Sequence, residues 1–290
     1  MKLSFTKMHG LGNDFVVFDN RDGKIALEKE QIIFLCDRQK GVGADGVILI
    51  EQDRGFDAFM NYYNNDGEKA GMCGNGIRCV AKYIFAGEKF LRINTLSGMK
   101  EIVCKENGDF SVNMGAPIFK HNDFPKEQKN IEGLDFSFVS MGNPHAVTFV
   151  DDLNKINFLD LGPKIENNVL FPNKINVEFV QKISDQKLKM KVWERGCGPT
   201  LACGTGACAV YGIFLKDIKS KGAETLEEIE NKKNREAEDR KKREEGENIE
   251  MEEIEVELPG GSLYISKNEK GEILMRGPAV SVFEGEIDLA

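Results

Sequence analysis

Short apolar runs bounded by turn residues fill the first half of the chain. DFVVFDN (14–20) and GVILIE (46–51) have the length and composition of strands, and FDAFMNYYN (56–64) is rich in aromatic residues. Between the first two, residues 27–39 place Leu27, Ile32, Leu35 and Cys36 at helical spacing. A second helix is expected to start near Cys73 and to carry Ile77, Val80, Ala81 and Ile84 on one face. Residues 100–117 then read as a strand pair turning at Asn107-Gly108.

The second half repeats this plan. KLKMKVWE (187–194) alternates like a strand, and a helix is expected from Cys203 with Ala207, Val210, Tyr211 and Phe214 inward. A strand pair follows over 261–279, turning at Lys270-Gly271. Gly98 and Gly108 are ten residues apart, as are Gly261 and Gly271, and CGNGIRCVA at the first helix matches CGTGACAV at the second. Two related halves follow from this correspondence. Cys73 and Gly98 are 25 positions apart, whereas Cys203 and Gly261 are 58 apart, so the second half carries an insertion at about 217–250. That stretch is dense in Glu, Lys and Arg, with Glu228/Lys232, Glu236/Arg240 and Glu238/Lys242 at i,i+4 spacing worth about 0.2–0.5 kcal/mol each. It reads as a solvated helix or loop, with recruitment of a partner as the alternative.

A chain of 290 residues with 41% hydrophobic content can build a large core or two medium ones. A net charge of −9 argues against nucleic acid as a partner, since phosphate contacts need clustered Lys and Arg. No long apolar segment follows the N-terminus, and no apolar run approaches the length of a bilayer span. No membrane partner and a cytoplasmic location are therefore expected. Seven cysteines in such a chain favour free thiols over disulfides, and with three histidines (His9, His121, His145) and no Cys-x-x-Cys pair no metal site is expected. Cys36 and Cys104 lie in apolar stretches and read as small core residues.

GVGADG (41–46) fits G-x-G-x-x-G, but it follows a helix and enters a strand, the reverse of the order in a dinucleotide-binding loop. It reads as a turn. The two cysteine motifs are more informative. Each places a sulfur at a helix N-terminus, where free N–H groups and the helix dipole favour negative charge. A thiolate pKa below the usual thiol value is the expectation, and the glycines allow a carboxylate to approach the same N–H groups. Two such stations in two similar halves suggest a cleft with a sulfur on each side. Inverting an amino-acid α-carbon needs that arrangement: a base on one face and an acid on the other. The substrate carboxylate would then rest on the backbone N–H groups of Gly74, Asn75, Gly204 and Thr205. Two buried capping cysteines, or a redox pair, are the plainer readings.

Eight segments running nearly end to end give the chain a family likeness: HGLGNDFVVFDN, GVGADGVILI, NNDGEKAGMCGNGIRC, SMGNPHAV, KINVEFV, WERG, TLACGTGACA and GPAVSVFEGEI. In these the sequence resembles the diaminopimelate epimerase family. The resemblance implies an α/β (α+β) fold of two similar pseudo-repeat domains, each a sheet wrapped on a central helix, with the site in the cleft between them. It places residues 1–117 plus 278–290 in one domain and 118–277 in the other. It implies epimerisation of LL-2,6-diaminopimelate to the meso isomer without pyridoxal phosphate, metal or other cofactor, a step of lysine and peptidoglycan-precursor biosynthesis. A small amino-acid substrate and a homodimer are the implied partners.

Carried over position by position, Cys73 and Cys203 match the acid/base cysteines, and Asn13, Asn64, Asn143, Asn176, Glu194 and Arg195 match substrate-contacting positions. The distal end of diaminopimelate is a second zwitterionic centre, so a planar guanidinium for its carboxylate and amides with a carboxylate for its ammonium make chemical sense. His145 and Glu194 are candidates to take a proton from a thiol. Cys197-Gly198-Pro199 and Gly46 depart from the commoner family residues. A related racemase acting on proline, histidine or lanthionine is the near alternative. Asn75 stands where proline racemases typically carry histidine, which favours the epimerase. A thiol redox protein is the alternative from another class.

Overall fold

The computed structural model describes residues 2–221 and 253–289. Most of the charged insertion lies outside them. The first half runs β1 (Lys2–Gly10), β2 (Asn13–Asn20), α1 (Lys29–Cys36), β3 (Gly46–Glu51), β4 (Ala58–Asn64), the short β5 (Lys69–Ala70), α2 (Gly74–Ile84), β6 (Phe90–Thr95), β7 (Lys100–Cys104) and β8 (Phe110–Gly115). After β9 (Lys129–Ile131), the second half runs β10 (Leu134–Ser140), β11 (Pro144–Phe149), α3 (Phe158–Glu166), β12 (Asn176–Lys182), β13 (Lys187–Glu194), the short β14 (Gly198–Pro199), α4 (Gly204–Lys221), β15 (Ile254–Leu258), β16 (Gly261–Lys267) and β17 (Ile273–Gly277). β18 (Val280–Asp288) closes the chain.

The strand pairings of the halves coincide. In the first, β1–β2 is antiparallel, β2–β3 parallel, β3–β4 antiparallel, β4–β6 parallel, and β6–β7–β8 an antiparallel meander. In the second, β10–β11, β11–β12, β12–β13, β13–β15 and β15–β16–β17 repeat those senses in the same order. Registers coincide too: Val47 faces Tyr63 and Val177 faces Trp193, each member displaced by 130 positions from its counterpart. β8 pairs antiparallel with β17, joining the two sheets into one ribbon through equivalent strands. β18 then crosses back to β1, so the C-terminus is part of the first half's sheet.

Each half wraps its sheet on one helix. α2 inserts Ile77, Cys79, Val80 and Ala81, and α4 inserts Ala207, Cys208, Ala209, Val210, Tyr211, Ile213 and Phe214, into a single apolar core shared by both halves. α1 and α3 lie on the outer faces over separate, smaller clusters. The helices at Cys73 and Cys203 therefore begin where the expected pattern puts them. α1 is shorter than the apolar spacing over 27–39 suggests, because the backbone turns extended at Asp37 (φ −63, ψ 119), whose N–H makes the last bonds, to the carbonyls of Ile33 and Phe34. α4 continues to Lys221 into the charged segment; residues 222–252, with the three expected i,i+4 pairs, lie outside the described residues.

The turn between β1 and β2 sets the position of Asn13. Leu11 (φ 55) and Gly12 (φ 85) form its two central residues, the mirror-image conformation that hairpin twist prefers. In the second half, α3 is pressed on β13 through Gly162. A methyl there would stand 2.6 Å from the Trp193 ring, whose Nε1 donates to Glu166 Oε2 at 2.8 Å. Gly162→Ala is expected to destabilise the fold by about 1–3 kcal/mol through overpacking, since a rigid indole cannot yield as a flexible chain can. Urea unfolding monitored by Trp193 fluorescence measures this; an unchanged midpoint would mean α3 slides freely.

Candidate active site

Each sulfur caps a helix. Cys73, extended at φ −131 and ψ 124, accepts from the Gly76 N–H at 3.5 Å, and its carbonyl accepts from Ile77 at 2.9 Å. Cys203 accepts from the Gly206 N–H at 3.3 Å, and its carbonyl accepts from Ala207 at 3.0 Å. A thiol thus fills the role usually taken by a hydroxyl or carboxylate oxygen. The expected lowering of their pKa values is not what this environment produces. Burial pushes the Cys73 thiol up to about 11, against the pull of the Gly76 and Asn75 N–H groups. Burial raises the Cys203 thiol further, well above the ordinary value, aided by the Glu194 and Glu178 carboxylates. Cys203 is buried and Cys73 partly so; a helix dipole contributes about 0.3–1 kcal/mol, whereas desolvation shifts a group by up to roughly 3–5 pKa units when complete, so the larger effect wins.

The two helix starts meet. Asn75 Nδ2, in the first turn of α2, donates to the carbonyl of Ala202, the residue before Cys203, at 3.3 Å. A Cβ on Gly204 would lie 3.7 Å from the Gly74 Cα and 2.9 Å from the Met275 Sδ. Glycine at both positions lets the two N-termini approach across Met275 of β17.

The sulfurs have different neighbours. Beside Cys73, the Asn13 Oδ1 accepts from the thiol at 3.5 Å and from Asn75 Nδ2 at 3.2 Å. Beside Cys203, the Thr205 hydroxyl lies 3.5 Å from the sulfur and takes a 3.3 Å hydrogen bond from Asn143 Nδ2. Asn143 Oδ1 lies 3.0 Å from His145 Nε2, and His145 Nδ1 lies 2.6 Å from Glu178 Oε1. His145 and Glu178 are both fully buried, and burial raises the Glu178 carboxyl pKa against the pull of the imidazole. His145 therefore reaches Cys203 through Asn143 and Thr205, not directly. Glu194 lies beside the thiol and takes the Thr200 hydroxyl on its carboxyl, and burial raises its pKa against the pull of both neighbours.

The remaining expected residues divide. Asn64 ends β4 opposite Gly46 and is half-buried. Asn176 is buried with both amide ends on backbone: Nδ2 donates to Pro144 O at 2.8 Å, and Oδ1 accepts from the Arg195 N–H at 3.0 Å. In this arrangement it shapes the turn that carries Arg195. The Arg195 guanidinium is exposed, rests on the Asn173 carbonyl at 3.3 Å, and makes no ion pair among the described residues. Glu178, Thr200, Asp45 and Arg78 escaped the sequence reading. A signal existed for the first, a glutamate inside the apolar run INVEFV.

Residues 5–120 and 137–282 match the family model described as diaminopimelate epimerase. Relatives carrying that same name include proteins of Synechococcus elongatus (38% identical, 100% of each chain covered), Carboxydothermus hydrogenoformans (41% identical, 98% of this chain and 99% of that one) and Methanococcus maripaludis (39% identical, 99% and 100%). Among solved structures, a phenazine biosynthesis protein of the PhzF family from Bacillus anthracis superposes with a TM-score of 0.66 at 18% identity over 100% of both chains. A probable proline racemase from Agrobacterium radiobacter superposes at 0.64 with 12% identity, over 99% and 93%. These two likenesses bear on the fold.

The buried His145–Glu178 pair makes a sharp test of the second station. His145→Ala leaves a carboxylate with no partner and is expected to cost about 3–5 kcal/mol. Replacing both by the residues at the equivalent places of the first half, His145→Phe with Glu178→Ile, is expected to recover most of that loss in denaturant unfolding. A double variant as unstable as the single one would refute the equivalence of the two stations.

Proposed function

The chain belongs to the diaminopimelate epimerase family, and from that premise we propose that it interconverts LL- and meso-diaminopimelate, a step of lysine biosynthesis, with Cys73 and Cys203 as the acid and base. The observation that carries this reading is the meeting of two sulfur-capped helix N-termini across glycine. A substrate carboxylate on the N–H groups of Gly74, Asn75, Gly204 and Thr205 would put the α-carbon between the sulfurs. One sulfur, as thiolate, takes the α-proton; the carbanion's charge spreads into the carboxylate, against the two dipole ends. The other sulfur, as thiol, delivers its proton to the opposite face. Each turnover exchanges the protonation states of the sulfurs, and the reverse turnover restores them.

Glu194, a carboxyl beside Cys203 whose pKa burial raises, is suited to take a proton from that thiol. His145 influences the same thiol through Asn143 and Thr205. For the distal centre, Arg195 offers a guanidinium without a carboxylate partner among the described residues, with Asn13, Asn64, Asn143, Asn176 and Glu194 as the polar surround. A homodimer has support in the edge strand β18, which exposes Val280, Val282 and Phe283; sedimentation of the purified protein tests it, and a monomer at micromolar concentration would remove it.

The decisive experiment incubates reduced protein with LL-diaminopimelate in D2O, followed by proton NMR and chiral chromatography. Loss of the α-proton signal with appearance of the meso isomer is expected. Folded protein with free thiols and no exchange would overturn the substrate assignment. Cys73→Ala and Cys203→Ala are each expected to lower inversion by about 10²–10⁴-fold, the usual weight of general acid–base catalysis. Undiminished inversion in either would sink the two-base mechanism.

A further inference from the structure

The GVGADG segment, which does not serve as a dinucleotide loop, ends in a carboxylate that faces the site. Asp45 Oδ2 accepts from Asn13 Nδ2 at 2.8 Å and from the Asp14 N–H at 3.2 Å, while Asp45 Oδ1 accepts from Arg38 Nη2 at 2.7 Å. A carboxylate can only accept, so it takes the NH2 end of the Asn13 amide and turns the oxygen toward Cys73. A second charge fixes the neighbouring amide. Arg78 is fully buried and donates only to neutral groups: Nη2 to Asn75 Oδ1 at 2.8 Å, Nη1 to Gly74 O at 2.9 Å, and Nε to Pro278 O at 3.1 Å. A guanidinium can only donate, so Asn75 presents its NH2 to Asn13 Oδ1. Between a donor-only end and an acceptor-only end, both amides have one orientation.

Asn143, 130 positions after Asn13, is anchored in the opposite sense. Its oxygen lies on His145 Nε2, and its NH2 points toward the Cys203 side, onto Thr205. The two equivalent amides thus present opposite ends to their sulfurs: an oxygen to Cys73 and an NH2, through a hydroxyl, to Cys203.

We propose that Asp45 is a positioning residue that, by holding the Asn13 amide, keeps an oxygen acceptor on the Cys73 sulfur and so favours its protonated, proton-donating form. A thiol S–H bonds to that oxygen, whereas a thiolate is repelled by it. The other groups facing Cys73 are the Gly76 and Asn75 N–H groups, the Arg78 guanidinium on its own helix, Glu194 from β13 and the Tyr62 phenol from β4. This inference rests on the reading of Cys73 as an acid/base group, but its test needs no turnover.

The test follows carbamidomethylation of Cys73 by iodoacetamide against pH, quantified by peptide mass spectrometry, in wild type, Asp45→Asn and Asp14→Asn. The thiolate is the reactive species. In Asp45→Asn the new amide offers either a donor or an acceptor, so the Asn13 amide loses the acceptor-only anchor on its NH2 side and its oxygen is held toward the sulfur by the Asn75 NH2 alone, which lets a turned amide compete. The Cys73 profile in Asp45→Asn is expected to move to lower pH by about one unit, a size common for the loss or gain of one hydrogen bond to a titrating group. The Cys203 profile is expected to stay in place. Asp14→Asn removes a carboxylate from the same Lys7–Arg38 cluster without touching the Asn13 amide. An equal shift there would attribute the effect to charge alone and overturn the proposal, as would an unmoved Cys73 profile in folded Asp45→Asn. Asp45→Ser, which can also donate or accept, carries the same expectation and replaces Asp45→Asn if that variant does not fold. Failure here with inversion still lost in Cys73→Ala would reject the role of Asp45 and keep Cys73 as acid/base.

Discussion

Two helix N-termini packed against each other inside a protein repel. Each carries unsatisfied N–H groups and the equivalent of about half a positive charge. Here they converge at Gly74 and Gly204, close enough that a single added Cβ would meet the opposite backbone at van der Waals distance. Arg78, buried beside them with only neutral acceptors, adds a whole positive charge. The arrangement persists because the sulfurs take N–H groups at both ends and Asn75 ties α2 to the carbonyl of Ala202. On the proposed acid/base reading, a substrate carboxylate on those N–H groups would complement these positive ends, as would the charge that enters it when an α-proton leaves.

The repeated topology supplies this convergence, and departures from it give the halves their different chemistry. Equivalent pairing senses put α2 and α4 in equivalent places, and the antiparallel β8–β17 seam turns their N-termini toward one another. At the residues around the sulfurs, the symmetry stops. Phe15 and Ile48 lie on the Gly76 side of Cys73, while His145 and Glu178, 130 positions later, are a buried polar pair beside Gly206 and Cys203. Asn64 has Glu194 as its counterpart, and Arg78 has Cys208. A scaffold that is symmetric in backbone can thus hold two thiols in unlike surroundings.

Much of this was legible in the sequence for identifiable reasons. Helix starts at Cys73 and Cys203 follow from a capping residue before an apolar face, and the hairpins at Asn107-Gly108 and Lys270-Gly271 from turn chemistry that acts over a few residues. The direction of the thiol pKa values was not legible. Capping is local and visible, but desolvation is set by the tertiary packing of both halves around the sulfurs. Glu178 was hidden because its partner, His145, lies 33 positions away on the parallel neighbour β11, and Asp45 because its role depends on a hydrogen bond to Asn13 across the β2–β3 crossover. The role of β18, which leaves the second half to pair with β1, has no local signature, although the family resemblance implies it.

The raised thiol pKa values bear directly on the chemistry. A thiolate stripped of water is scarcer at neutral pH but a stronger base, and the carbon acid it must deprotonate is weak. A site that lowered both thiols, as the helix ends alone would, would hold abundant thiolates with little appetite for an α-proton. Burial moves the balance the other way, and the surrounding groups then decide which sulfur gives up its proton. Beside Cys203 stands the Glu194 carboxyl, whereas Asn13 Oδ1 accepts from Cys73 without being able to take its proton. On the proposed acid/base reading, the carboxyl side can exchange a proton with its sulfur and the amide side cannot. Desolvation makes the pair strong, and the asymmetric polar neighbours give it a direction.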